Sequence, residues 1–140
     1  MLNYKNPIKQ AKKTEEMIVV DDLAPMREIV QFMLKSNRYS NVHSLETAKL
    51  ALSMLASRPI ALVITDWNMP NMTGIELLRN VRSDLELKSL PFLMVTAESE
   101  KEKVIEAIKS GVNNYIIKPF TAEILKVKME KIFERMAGKS

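Results

Sequence analysis

The sequence predicts an α/β fold in which a five-stranded parallel sheet carries helices on both faces. Short, unbroken apolar runs with β-branched residues, such as those over residues 17–20 and 61–65, are typical of strands buried on both faces. Five such strands alternate along the chain with five segments of helical period. This alternation requires crossover connections, which are right-handed in parallel sheets and place helices on both faces.

The predicted elements follow from the apolar pattern and from residues typical of helix boundaries. The strands are predicted over residues 17–20, 42–44, 61–65, 92–96 and 115–117. The second and third helices are predicted over residues 48–55 and 75–81. Pro25 suits the first turn of the first helix, which ends near Asn37, and Gly111 suits the C′ position of the fourth. Thr121 is the predicted N-cap of the fifth helix. The apolar face predicted for this last helix consists of Ile124, Leu125, Val127, Met129, Ile132 and Phe133.

The length of 140 residues suits one domain with a substantial core and is too short for two ordinary domains. Residues 1–16 lack a periodic apolar pattern, so we predict a flexible tail there. No apolar run is long enough to span a bilayer, and the lysine-containing start lacks the apolar stretch of a secretory signal. We therefore expect a cytoplasmic protein with no membrane partner.

The composition excludes several kinds of site. With no cysteine and a single histidine, His43, the chain cannot form a disulfide, a thiolate metal site, a zinc centre or a conventional serine triad. We expect His43 to be an ordinary surface or strand residue. The net charge of +4 comes from the two ends of the chain, and no Lys/Arg stripe interleaved with aromatic residues is present. Nucleic acid is therefore not an expected partner.

Polar residues follow the predicted strands at the point where each strand ends. Asp21 and Asp22 come directly after the first strand, and Asp66 after the third. Thr96 ends the fourth strand and Lys118 follows the fifth. The carboxyl ends of parallel strands share one edge of the sheet, which is where doubly wound folds bind ligands. Three carboxylates gathered there repel one another and suit a hard cation such as Mg²⁺.

This set of residues suits phosphoryl transfer. A carboxylate can attack a phosphoryl group and form an acyl phosphate, and Asp66, being central among these residues, is the natural candidate. Asp21 and Asp22 would hold Mg²⁺ together with Asp66, while Lys118 and the Thr96 hydroxyl would take the remaining phosphoryl oxygens. Pro119 restricts the peptide that directs the Lys118 side chain toward the site.

Four stretches of the sequence, in order and without a gap, closely resemble the receiver domain of two-component response regulators. The resemblance is closest to the CheY-type, single-domain chemotaxis branch of that family. The four stretches are Val-Val-Asp-Asp at 19–22, Asp-Trp-Asn-Met-Pro-Asn-Met at 66–72, Leu-Met-Val-Thr-Ala-Glu at 93–98 and Tyr-Ile-Ile-Lys-Pro-Phe at 115–120. The match implies a receiver domain over residues 17–138 with the flavodoxin-like (βα)5 fold and its strand order 2-1-3-4-5, an order already known for receiver domains.

The resemblance implies a role for each residue at the strand ends. Asp66 is the implied phosphoacceptor, assisted by Thr96 and Lys118, and Thr96 with Tyr115 forms the implied conformational switch. The implied Mg²⁺ ligands are Asp21, Asp22, Asp66 and the backbone carbonyl of Asn68. Asn68 and Glu98 are implied to flank the path of the water that hydrolyses the acyl phosphate.

The partners implied by the resemblance are a histidine kinase as phosphodonor, a flagellar motor switch protein and a phosphatase, with the protein itself a monomer. The positions expected to contact a partner are Lys101, Val104, Tyr115, Ile117, Ile124 and Lys128. Ile108, Ile124 and Val127 make the face of the fourth and fifth helices more apolar than the resemblance leads us to expect. Thr47-Ala48 and Thr73 also depart from the family pattern, away from the acidic residues.

Two alternatives stay open from the sequence alone. A receiver paralogue would keep the switch but serve as a phosphate sink or act on a non-flagellar target. A remote alternative is a phosphatase of the haloacid-dehalogenase class, which also uses Asp, Thr or Ser, Lys and Mg²⁺. That class places its nucleophile in a D-x-D arrangement after the first strand, whereas Asp21 and Asp22 are adjacent. Beyond self-phosphorylation and self-dephosphorylation, no enzymatic activity is expected.

Overall fold

A computed structural model of the protein describes residues 15–97 and 101–138. Residues 1–14 of the tail predicted over residues 1–16 therefore lie outside the described residues, and so does Glu98. The tail prediction is wrong at Glu16, which is the first residue of a strand. Among the described residues, no helix is both long and apolar enough to cross a membrane.

Five strands form one parallel sheet in the order β2-β1-β3-β4-β5, which confirms the predicted fold class and strand order. The strands are β1 (Glu16–Val20), β2 (Val42–Leu45), β3 (Ile60–Asp66), β4 (Phe92–Ala97) and β5 (Asn114–Lys118). The three inner strands are almost wholly buried, as their continuous apolar runs predict. In the parallel register Val20 pairs with Thr65, and Asp66 pairs with Val95, so the ends of these strands meet at one edge.

Five helices cover the two faces of the sheet and enclose two separate apolar cores. They are α1 (Ala24–Ser36), α2 (Ala48–Leu55), α3 (Gly74–Arg82), α4 (Lys101–Lys109) and α5 (Ala122–Gly138). Side chains alternate along β1, so that Ile18 packs with α2, α3 and α4 while Val19 packs with α1 and α5. The acidic residues at the strand ends therefore lie at the edge of the sheet, next to both apolar cores.

Two helices end in the same backbone motif, and the sequence predicts it for only one of them. Gly111 has φ +94°, its N–H donates to Ile108 O, and the N–H of Val112 donates to Ala107 O, as in a Schellman motif. This confirms the C′ position predicted for Gly111. Arg38 occupies the same position after α1 with φ +74°, where a non-glycine residue gives no recognisable signal in the sequence.

The apolar face predicted for the last helix is wrong at two of its six positions. Leu125, Met129, Ile132 and Phe133 are buried, but Ile124 is 45% exposed and Val127 is 40% exposed. The buried residues form a stripe at spacings of three and four, and Ile124 and Val127 lie beside that stripe on the outward side.

His43 lies near the start of the edge strand β2, where it pairs with Ile18 of β1. The acidic residues lie at the other, carboxyl ends of the strands. Its Nε2 is 2.7 Å from Oε1 of Glu16, and Nε of Arg58 donates to the same oxygen over 2.6 Å. The hydrogen bond from Arg58 and then that to His43 lower the pKa of Glu16. This is the ordinary strand environment predicted for His43.

Candidate functional site

Three carboxylates meet at the carboxyl edge of the sheet. Asp21 and Asp22 follow β1 and Asp66 ends β3, and one oxygen atom from each lies within 4.8 Å of the others. Asp21 and Asp66 are 6% and 7% exposed, whereas Asp22 is exposed. The structure thus brings together all three acidic residues singled out in the sequence, in a cluster made of oxygen ligands alone.

The position of Asp21 is fixed by its own loop and by α1. Its Oδ1 accepts a hydrogen bond from the N–H of Leu23 over 3.0 Å. Its backbone carbonyl accepts from Nη1 of Arg27 over 2.7 Å, and Nε of Arg27 donates to Oγ of Ser44 on β2. Burial raises the pKa of Asp21, partly offset by the bond from Leu23, because the ionised carboxylate loses solvation at this site.

Lys118 supplies the positive charge of the site. Its Nζ lies 2.7 Å from Oδ1 of Asp66, and the Lys118-Pro119 peptide bond is cis. Asp66 is further confined by Gly74, the first residue of α3, whose N–H donates to Trp67 O over 2.8 Å. A Cβ atom at position 74 would collide with the backbone carbonyl of Asp66, so only glycine allows α3 to begin this close to β3.

Thr96 is buried at the end of β4 with an unsatisfied hydroxyl. The residue is 2% exposed, and its Oγ1 has no hydrogen-bond partner among the described residues. Buried polar atoms nearly always have a partner, so this hydroxyl is left able to donate a hydrogen bond to an oxygen-bearing group at the carboxyl end of β4. The residues present therefore fit a hard cation together with an anionic oxygen ligand.

Tyr115 and Asn68 are two further residues for which the sequence predicts a role. Tyr115, on β5, packs against the core that contains Met94, and Nζ of Lys128 lies 5.0 Å from its ring centroid. Asn68 is exposed, two residues after Asp66, and its Oδ1 accepts a hydrogen bond from Nζ of Lys103 over 2.9 Å.

Three residues that shape the site were not singled out from the sequence. Arg27 and Lys103 look in the sequence like any basic residue on a helix surface. Their contacts with the site depend on how α1 and α4 pack, which the sequence does not show. The start of a helix at Gly74 could have been found from the sequence. Thr73 and Glu76 have the spacing of a capping box, and they form one in the structure.

Comparison with known proteins places the chain in a family. Residues 17–130 match the family described as the response regulator receiver domain. The chain belongs to this family, as the four sequence stretches predict.

Named relatives and solved structures agree with this family. The chain is 50% identical over 123 residues to a chemotaxis protein CheY of Pseudomonas aeruginosa, covering 88% of this chain and 99% of the relative. It is 49% identical over 124 residues to a chemotaxis protein CheY-3 of Vibrio cholerae, covering 89% and 95%. The chemotaxis response regulator CheY4 of Vibrio cholerae superimposes with a TM-score of 0.77 at 30% identity, covering 85% and 98% of the two chains. A putative response regulator of Chloroflexus aurantiacus gives a TM-score of 0.82 at 26% identity, covering 86% and 98%.

Proposed function

We propose that this receiver domain is a Mg²⁺-dependent phosphoaspartate switch that works in chemotaxis and is phosphorylated on Asp66 by a histidine kinase. The observation that carries the proposal is the Asp66 carboxylate itself. It is nearly buried, it shares an oxygen cluster with Asp21 and Asp22, and it is paired with Lys118 at 2.7 Å. A buried carboxylate with adjoining ligands for a cation and an ammonium group is suited to accept a phosphoryl group.

The reaction forms and then breaks one bond to Asp66. A carboxylate oxygen of Asp66 attacks the phosphorus of a phosphohistidine, the phosphorus–nitrogen bond breaks, and the imidazole nitrogen keeps the electron pair. The product is an acyl phosphate. In the return reaction water attacks the phosphorus, the bond between phosphorus and the Asp66 oxygen breaks, and inorganic phosphate leaves. This self-limiting cycle is the extent of the chemistry that we propose.

The proposed Mg²⁺ ligands are Asp21, Asp22, Asp66 and the backbone carbonyl of Asn68. The cation would offset the charge that accumulates between three carboxylates and an incoming phosphoryl group. Lys118 supplies a second positive charge to the phosphoryl oxygens, and the hydroxyl of Thr96 donates a hydrogen bond to one of them.

The proposed output runs through Thr96 and Tyr115. A phosphoryl group gives the unpaired hydroxyl of Thr96 a charged acceptor, which favours the conformation in which Thr96 turns toward Asp66. The space released beside β5 favours an inward position of the Tyr115 ring. The surface of α4, β5 and α5 then changes its affinity for a partner.

This surface combines basic and apolar groups. Its proposed contact positions are Lys101, Val104, Tyr115, Ile117, Ile124 and Lys128. Ile117 is 38% exposed and Ile124 is 45% exposed, so both can serve as anchors for an apolar side chain. Because the chain is about half identical to chemotaxis proteins of Pseudomonas aeruginosa and Vibrio cholerae, the proposed target is the flagellar motor switch protein, with a phosphatase as a further partner.

A second candidate function keeps the switch and changes its target. Ile105, Ile108 and Val127 add exposed apolar area to the same surface, which favours a partner other than the motor. A role as a phosphate sink is the other form of this alternative. Membership in the receiver family argues against the haloacid-dehalogenase alternative. The receiver boundaries of 17–138, the part of the predicted tail that precedes β1, the monomeric state and the cytoplasmic location stay predictions.

Phosphate incorporation tests the proposed chemistry. Incubation with acetyl phosphate and Mg²⁺ should add one phosphoryl group to the wild-type protein, as measured by intact-mass spectrometry, and removal of Mg²⁺ should prevent it. Asp66→Asn should abolish incorporation. Asp84→Asn is the matched control, because Asp84 lies in the turn after α3 and its carboxylate accepts a local hydrogen bond, from the N–H of Glu86. Full incorporation in Asp66→Asn would contradict the proposal.

A further inference from the structure

Lys103 contacts both residues that directly follow Asp66. Its Nζ donates to Oδ1 of Asn68 over 2.9 Å and lies 5.5 Å from the ring centroid of Trp67, within the range of a cation–π interaction. Trp67 is itself fixed, since it is 5% exposed and its N–H donates to Val95 O over 3.1 Å. The Lys103 ammonium therefore has a defined place over the loop at the carboxyl end of β3.

The helix that carries Lys103 is anchored on both sides. Ala107 is fully buried in the core beneath α4, and Glu106 forms an ion pair with Arg79 of α3 over 2.6 Å. Because the buried Ala107 packs α4 against the core, the Lys103 side chain starts from a backbone position that this packing sets. Its contact with Asn68 links α4 to the loop beside the acidic cluster.

The contact engages the single acceptor atom of the Asn68 side chain. The carboxamide has one acceptor, Oδ1, and its nitrogen can only donate. A water that attacks a phosphoryl group on Asp66 is best oriented by a group that accepts one of its hydrogens. When Oδ1 bonds to a cation, it is a weaker acceptor for that water and the carboxamide cannot turn freely.

We propose that Lys103 is a positioning residue that prolongs the lifetime of the phosphoryl group on Asp66 by engaging the Asn68 carboxamide. The inference rests on the proposed phosphorylation of Asp66. Lys103 acts through its hydrogen bond to Asn68, the second residue after Asp66. Its effect is therefore on hydrolysis of the acyl phosphate.

The test compares decay rates of the phosphorylated protein. Each variant is loaded with acetyl phosphate and Mg²⁺, freed of the donor by rapid desalting, and followed by intact-mass spectrometry. Lys103→Met, which removes the donor and the charge but keeps the length, should shorten the lifetime by up to about fivefold, the upper end of what an exposed charged contact contributes. Lys103→Arg should restore most of the lifetime. Lys109→Met removes an exposed lysine from the end of the same helix and should decay as wild type does.

A lifetime in Lys103→Met equal to that of wild type would overturn the inference. So would an equal shortening in Lys109→Met, because that would show a general effect of charge. A wild-type protein that takes up no phosphate at all would instead overturn the proposed function, and the inference with it.

A second measurement follows the contact without any phosphate. The side-chain amide signals of Asn68, identified by their absence in Asn68→Ala, should shift in the NMR spectrum of Lys103→Met, and Trp67 fluorescence should change as the ammonium leaves its ring. Since exposed contacts of this kind contribute little to stability, the variant should fold as wild type does. Unchanged Asn68 and Trp67 signals in Lys103→Met would show that the contact is absent in solution, which also overturns the inference.

Discussion

The ammonium nitrogen of Lys118 lies 2.7 Å from Oδ1 of Asp66 and joins the end of β5 to the end of β3 across β4. The Asp66 side chain is only 9% exposed and that of Lys118 is 31% exposed, so solvent screens this pair less than a surface ion pair. The strand between them carries Thr96, whose buried hydroxyl is unpaired. The pair therefore connects the proposed phosphoacceptor to the strand that bears Tyr115.

Lys118→Ala should separate phosphorylation from its output. Phosphate should still reach Asp66, because the nucleophile and the proposed cation ligands stay in place. The response of the surface formed by α4, β5 and α5 should weaken, because the acyl phosphate loses its link to β5. The measurement is the change in backbone amide signals over residues 101–128 on addition of beryllofluoride, with the exposed Lys88→Ala as control. Signal changes as large as those of wild type would contradict this role.

Thr96→Val and Thr65→Val should change stability in opposite directions. Both threonines are buried, but Oγ1 of Thr65 donates to Asp66 O over 3.0 Å, while Oγ1 of Thr96 has no partner among the described residues. Replacement of the unpaired hydroxyl should raise the free energy of unfolding by about 1 kcal/mol, and loss of the paired one should lower it by about as much.

Urea unfolding without Mg²⁺ measures both effects. Thr96→Val should also lose most of the beryllofluoride response over residues 101–128. A strong loss of stability in Thr96→Val would mean that its hydroxyl is paired in solution.

Asp21→Asn should stabilise the protein in the absence of Mg²⁺ at neutral pH while weakening its affinity for Mg²⁺. Burial raises the pKa of Asp21 above its ordinary value of 3.8, so ionisation costs more in the folded than in the unfolded state. Below pH 3.8 Asp21 is protonated in both the folded and the unfolded state, so it does not lower the free energy of unfolding. As the pH rises above that value, ionisation of Asp21 progressively lowers the free energy of unfolding.

The stability advantage of Asp21→Asn over wild type should therefore grow as the pH rises from about 4 to about 7. Urea unfolding at several pH values measures it, and Asp22→Asn, at an exposed carboxylate, should show less of this trend. An advantage that shrinks as the pH rises would show that the sign of the pKa shift is wrong.

Gly74→Ala should be destabilising and should disturb the site. The added Cβ would meet the backbone carbonyl of Asp66 and come to 3.0 Å from Sδ of Met94, so α3 would have to move. We expect a loss of about 1–3 kcal/mol in the free energy of unfolding, together with weaker Mg²⁺ binding. Gly138→Ala is the matched control, since nothing lies within 4 Å of its Cβ position and alanine favours a helix. Equal stability of the two variants would contradict the packing described here.

The sequence predicted those features of the fold and site that depend on strand ends. Asp21, Asp22, Asp66, Thr96 and Lys118 could be placed together because parallel strands bring their carboxyl ends to one edge. Their roles rest on the resemblance to receiver domains, since a carboxylate at a strand end does not by its type reveal whether it accepts a phosphoryl group.

Features that depend on how helices pack could not be predicted in this way. The apolar pattern predicts that Ile124 and Val127 belong to the buried face of α5, yet both are exposed. Helical spacing of apolar residues does not show where the buried stripe ends. Lys103 reaches Asn68 only because α4 packs next to the loop after β3. Arg38 adopts a positive φ because the chain must turn from α1 into β2, which its residue type does not indicate.

Chemical trapping of the phosphorylated residue tests the central proposal most directly. Borohydride reduces an acyl phosphate on aspartate to homoserine, releasing phosphate, and peptide mass spectrometry then locates the altered residue. After incubation with acetyl phosphate and Mg²⁺, we predict homoserine at position 66, and none when Mg²⁺ is withheld. Homoserine at position 21 or 22, or none in a protein shown by intact mass to carry phosphate, would contradict the assignment of Asp66 as the phosphoacceptor.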